Sequence, residues 1–150
     1  MRYTVATLLS AATFSLCAFA RPPPPQPVAS STPLVKRYAS GWCGVHVTQY
    51  QKNEGPTDTP TGNSEYRLTV ALYDALQDNM GGAALLDAAG GVYEGIDSGL
   101  PDVFEVEVGA NDAQPVRFLY NGQAWSSDQG QCSVGGYNGG LRNMDCGFNC

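Results

Sequence analysis

The single histidine of this 150-residue chain, His46, is the first group to weigh as a chemical one. An imidazole can serve as general base in a serine, cysteine or ribonuclease-type site. It then needs a nucleophile within hydrogen-bond reach and usually a carboxylate to orient it. The surrounding Val45-His46-Val47 supplies neither, and the chain has no Gly-x-Ser-x-Gly elbow. The plainer reading is an outward-facing strand histidine between two valines of the core. Glu105 and Glu107 are the second candidate. Two positions apart on a strand, they share a face at roughly 7 Å, a separation that inverting glycosidases use. Alternating glutamates also arise wherever a strand keeps one face wet, and no flanking motif adds a catalytic role.

Asp97, Asp102, Glu105, Glu107 and Asp112 are dense enough to raise calcium, which takes about six to eight oxygen ligands. No Asp-x-Asp-x-Asp-Gly loop accompanies them, and Asp128-Gln129-Gly130 is only a short acidic turn. A solvated acidic face accounts for the pattern, so no metal and no cofactor are expected. Sugar or peptide binding would draw on exposed aromatics, for which Trp42, Tyr50, Trp125 and Tyr137 are candidates. Large aromatics in a small domain more often pack the core. Tyr137, near the tip of an expected hairpin, and Trp125, just past the Asn121-Gly122 turn, are the binding residues taken forward.

These groups must be positioned by a domain that starts well inside the chain. Arg2 precedes an apolar run from Val5 to Ala20 that closes on Ala18-Phe19-Ala20, the pattern of a secretory signal peptide cleaved after Ala20. Residues 21–37 carry Pro22 to Pro25, Pro27 and Pro33, and proline removes backbone donors and favours extended conformations. This stretch reads as a pro-segment ending in the dibasic pair Lys36-Arg37, which leaves residues 38–150 as the working domain. The apolar run is short for a membrane span, which needs about 20 residues, so a soluble secreted protein with no membrane insertion is expected.

Removing the leader changes the charge. The whole chain carries a net charge of −6, but its fourteen acidic residues all follow Tyr38, whereas only Lys52, Arg67, Arg117 and Arg142 remain as fixed cations. Four against fourteen leaves −10. Nucleic-acid binding by counterion release is thereby disfavoured, as are anionic membranes.

It also changes the cysteine count. Cys17 goes with the leader, leaving Cys43, Cys132, Cys146 and Cys150, an even number that in a small secreted domain implies two disulfides. Gly135-Gly136-Tyr137-Asn138-Gly139-Gly140 lies between Cys132 and Cys146 and tolerates positive φ. A hairpin centred on residue 139 sets those two cysteines opposite each other. Cys43 then pairs with Cys150.

Between these staples, period-2 alternation dominates. Val45 and Val47 alternate with His46, Thr48 and Tyr50; Leu68, Val70 and Leu72 alternate with Arg67, Thr69 and Ala71; Phe104, Val106 and Val108 and then Val116, Phe118 and Tyr120 repeat the pattern. Lys52–Ser64 reads as a long loop, and Asp74–Leu86 as a turn followed by a strand through Ala83 to Leu86, because Gly81-Gly82 breaks any helix. About seven short strands predict an all-β fold, a single-domain antiparallel β-sandwich or β-barrel with two disulfides, and a monomer.

Two stretches are more distinctive: VHVTQYQKNEGP from Val45 to Pro56, and DQGQCSVGGY from Asp128 to Tyr137 followed by MDCGFNC from Met144 to Cys150. Together they resemble the small secreted fungal proteins known as hypersensitive-response-inducing elicitors. The likeness extends to leader, size and C-terminal cysteine cluster; Asp74 to Asp112 is similar mainly in its strand pattern. The resemblance implies an extracellular β-rich protein perceived by plants, which answer with localised cell death and defence, through a plant extracellular or plasma-membrane component. Such families are defined by response, so the resemblance assigns no active residues. A cell-wall glycan-binding module and a small secreted hydrolase acting through His46 or Glu105 are the alternatives.

Overall fold

Alternation of large apolar and polar side chains becomes nine antiparallel strands in a computed structural model that describes residues 38–54 and 64–150. Both stretches belong to one compact unit. The signal-peptide cleavage at Ala20, the pro-segment, the Lys36-Arg37 site and the middle of the Lys52–Ser64 loop lie outside the described residues.

The strands are β1 (Trp42–Tyr50), β2 (Tyr66–Tyr73), β3 (Asn79–Ala88), β4 (Tyr93–Ile96), β5 (Phe104–Glu107), β6 (Arg117–Tyr120), β7 (Gln123–Ser126), β8 (Cys132–Val134) and β9 (Leu141–Asn149). One sheet has five strands in the order β3-β2-β1-β9-β8, the other four in the order β4-β5-β6-β7. The chain is an all-β sandwich with two disulfides, one of the two architectures, sandwich or barrel, that its alternation allows. No helix among the described residues is long and apolar enough to cross a membrane.

The core lies where the inward residues of the two sheets meet. Val45, Val47, Leu68 and Leu72 of the larger sheet are at most 2 % exposed, as are Phe104, Val106, Phe118 and Tyr120 of the smaller. Phe148 on β9 carries the contact between sheets, with its ring 5.1 Å from Phe104, 5.3 Å from Tyr120 and 5.5 Å from Trp125. Tilted, edge-on and stacked rings at such distances each add about 0.5–1.5 kcal/mol beyond burial. Trp125 is therefore a core residue, 5 % exposed, and the expectation that it offers a binding surface fails. It sits on the inward phase of β7, directly opposite Phe118 in register.

Both disulfides pair as the turn geometry predicts, Cys43 with Cys150 and Cys132 with Cys146, at Cα separations of 5.8 and 4.1 Å. The β8–β9 hairpin sets Cys132 against Cys146 and closes at Gly139-Gly140, where φ values of 61° and 79° suit the turn and the N–H of Asn138 donates to the carbonyl of Leu141 at 2.8 Å.

β3 starts earlier than the Ala83 expected, and includes both glycines that argued for a break. At Gly82 a Cβ would lie 2.0 Å from the carbonyl oxygen of Val70, so the paired strands come closer there than any side chain permits. Next to it, Gly81 bridges to Ser98, and the N–H of Gly82 donates to the carbonyl of Asp97, tying that edge of the larger sheet to the chain leaving β4. The turn before β3 is organised by Asp74. Its buried carboxylate accepts from the backbone N–H groups of Leu76 and Asp78 at 2.9 Å and from that of Ala39 at 3.0 Å.

Candidate functional site

The outer face of the larger sheet holds a groove that follows from register. β1 lies between β2 and β9, and Gly44 pairs with Tyr73 on one side and with Gly147 on the other. Two glycines side by side on the outward phase leave a floor of bare backbone between strands. Trp42 walls one side: its indole lies over Gly147, where a Cβ would come within 2.4 Å of the ring. Tyr73 and Gln77 border the other, and the groove encloses about 290 Å³, open to solvent. That is at the small end of ligand sites, which run roughly 300–1,000 Å³.

The next row of the sheet brings in the titratable pair. His46 faces Asp145 in register, and Nδ1 lies 2.7 Å from Oδ1. The carboxylate can only accept, so Nδ1–H donates to it, and in the neutral ring Nε2 is then an acceptor. The ring is 38 % exposed and the carboxylate 71 %, so the pair is reachable from solvent. This is the orienting carboxylate that sequence reading did not find for His46. The partners are 99 residues apart, and only β1–β9 pairing joins them. The Cys43–Cys150 staple was the available signal, because two antiparallel strands joined at those cysteines bring His46 close to Asp145.

The pair has the base and orienter of a catalytic triad. Among the described residues no serine or threonine lines the groove, and its two cysteines, Cys43 and Cys146, are both in disulfides. Ser133 also faces Asp145 in register, but from β8, on the side away from His46. What the groove presents is one exposed indole, a phenol, an amide, an imidazole nitrogen and a carboxylate. Such a set offers stacking and hydrogen bonds.

The remaining candidates are placed elsewhere. Tyr137 is half-buried beside the hairpin tip, and the guanidinium of Arg142 lies 4.8 Å from its ring centre. Arg142 is itself held by Gln49 Oε1, to which Nε donates at 2.9 Å, and by the carbonyl of Gln114 at 3.0 Å. Gln51 Nε2 donates to Asp112 Oδ2 at 2.6 Å. Burial pushes the Tyr137 hydroxyl up, while the same burial together with Asp112 pushes Tyr66 up to about 12. This network clamps the root of the Lys52–Ser64 loop to the hairpin, the N–H of Gln51 donating to the carbonyl of Gly140 at 2.8 Å. Tyr137 is thus half-buried against Arg142 beside the hairpin tip, rather than the exposed stacking platform expected.

Glu105 and Glu107 do not form a free carboxylate pair. The Glu107 side chain is 7 % exposed and accepts from Arg117 Nη1 at 2.9 Å, which spends it on a structural ion pair. Asp97, Asp102 and Asp112 are not gathered either: no group of three or more metal-ligating side chains occurs among the described residues. Of the four aromatics, Trp42 alone stands well out of the surface, at 58 % exposure. No known protein family, curated protein or solved structure matches this chain.

Proposed function

We propose that this chain is a secreted recognition protein of the elicitor kind, perceived by plants through binding of an extracellular component and answered by hypersensitive cell death and defence. The observation that carries the reading is where the two distinctive stretches meet. VHVTQY forms most of β1, CSV is β8 and MDCGFN most of β9, and these are neighbours in one sheet. Val45, His46, Asp145, Cys146 and Gly147, drawn from those stretches, line the same groove. Two of the three segments that carry the resemblance therefore line one surface. Disulfides at Cys146, within β9, and at Cys150, just past its end, tie that strand to β8 and to β1, and a preorganised site loses less entropy on binding.

Infiltration of leaves with the purified protein tests this reading. Necrosis and defence-marker induction at micromolar doses are expected; leaves that stay symptomless at those doses contradict it. The His46–Asp145 pair favours one second reading, a small secreted hydrolase in which Nε2 takes a proton from water. A hydrolytic activity abolished by His46→Asn would establish that reading in place of the first.

A further inference from the structure

The groove between Trp42 and Tyr73 is chemically selective. We propose that it binds an uncharged polysaccharide chain, with a pyranose ring stacked on the Trp42 indole and its hydroxyls bonded to the His46–Asp145 pair. The proposal rests on the groove being the recognition site and adds the class of ligand.

Three observations converge on it. First, the indole lies over Gly147 and is 58 % exposed, so one face rests on the sheet and the other is offered to solvent. The electron-rich face of an indole attracts the polarised C–H groups on the flat side of a sugar ring, and its area displaces water. A side chain at residue 147 would tip the ring off that seat.

Second, the polar groups suit hydroxyls. In the neutral ring His46 Nε2 can accept a hydrogen bond from a hydroxyl, Asp145 offers its Oδ2, and the Gln77 amide both donates and accepts. These groups line the same groove as the indole, which puts stacking and hydrogen bonding within reach of one ring. Asp74 holds the turn carrying Gln77, whose backbone N–H donates to the Asp74 carbonyl at 2.9 Å.

Third, charge selects against the alternatives. Among the described groove residues there is no Lys or Arg, and the one carboxylate, Asp145, is hydrogen-bonded to His46. Residues 38–150 carry −10 overall, which repels polyanionic chains such as pectate. The volume of about 290 Å³ fits a short length of an extended chain crossing the sheet, with the rest of the chain in solvent.

The test is binding of the purified protein to insoluble β-1,3-glucan, chitin, cellulose and xylan, followed by titration of soluble oligomers of whichever binds while tryptophan fluorescence is read. Because Trp125 is buried in the core, the ligand-dependent change should come from Trp42. The account predicts retention on at least one of the four and an affinity loss of tenfold or more in both Trp42→Ala and Gly147→Ala. Val103→Ala, a 64 % exposed position just before β5 and outside the groove, should bind like the parent. Circular dichroism of each variant separates lost binding from lost fold, and Trp42→Phe, which keeps a stacking face, should retain part of the affinity. Failure to bind any of the four, or unchanged binding in Trp42→Ala, overturns the glycan assignment. If such a protein still provokes leaf necrosis, recognition stands and only the ligand class is wrong; if it does neither, both readings fall.

Discussion

Tyr66 shows how far one residue's chemistry departs from its free value when strand packing closes around it. Its hydroxyl is pushed up to about 12, first by burial and then by the neighbouring Asp112 carboxylate, because phenolate is the charged form and both oppose it. An unfolded tyrosine titrates near 10. From about pH 10 upward the unfolded chain releases a proton that the native one keeps, so stability is fully present below 10 and is lost as pH rises through about 12. Denaturant midpoints followed across this range should fall, and Tyr66→Phe should flatten the fall. Equal slopes for parent and variant would show that Tyr66 does not carry the effect. None of this was legible from the sequence, where Tyr66 was only the first residue of an alternating run. His46 is the parallel case: its neighbours in the chain are valines, and its carboxylate arrives from β9. Glu107 reads as a wet-face residue by periodicity, but the cross-strand Arg117 draws it under cover.

At the scale of elements, alternation was an accurate guide wherever one face is apolar. β1, β2, β5 and β6 fall where Val, Leu and Phe recur at every second position, since a one-residue slip would bury the polar set. β4 is only four residues long, with Ile96 as its one buried residue, too little to show a period. β3 was read in part, its Ala83–Leu86 stretch but not its start at Asn79. Its glycines look like breakers, whereas at Gly82 the lack of a side chain is what lets β2 approach, a tertiary demand that local propensity does not encode. Gly82→Ala should therefore cost about 1–3 kcal/mol, the usual range for overpacking a closed interior. A thermal midpoint equal to the parent's would mean that the two strands can separate without penalty. The paired disulfides were legible because glycines centred between Cys132 and Cys146 left a hairpin as the economical connection.

The whole molecule is held at its two chain-distant ends. Cys43 and Cys150 close a separation of 107 residues, and on a chain-entropy basis a loop of that length contributes about 4–5 kcal/mol by restricting the unfolded state. The Cys132–Cys146 loop, with a separation of 14, contributes about 3. Replacing Cys43 and Cys150 together by serine should therefore lower the unfolding midpoint more than replacing Cys132 and Cys146; the reverse order would place the dominant constraint in the hairpin. The same long-range closure builds the groove, since β1 and β9 become neighbours only when the first and last strands meet. Fold class was legible from alternation and cysteine count, but the site was not, because its residues come from strands whose order no local signal states. The groove's part in recognition is the central claim. The most direct measurement is the leaf response to parent and Trp42→Ala protein infiltrated at matched concentration, with both confirmed folded. The account predicts that the variant's necrosis and defence-marker induction fall at least tenfold in dose response. An unchanged response would place recognition elsewhere on the molecule.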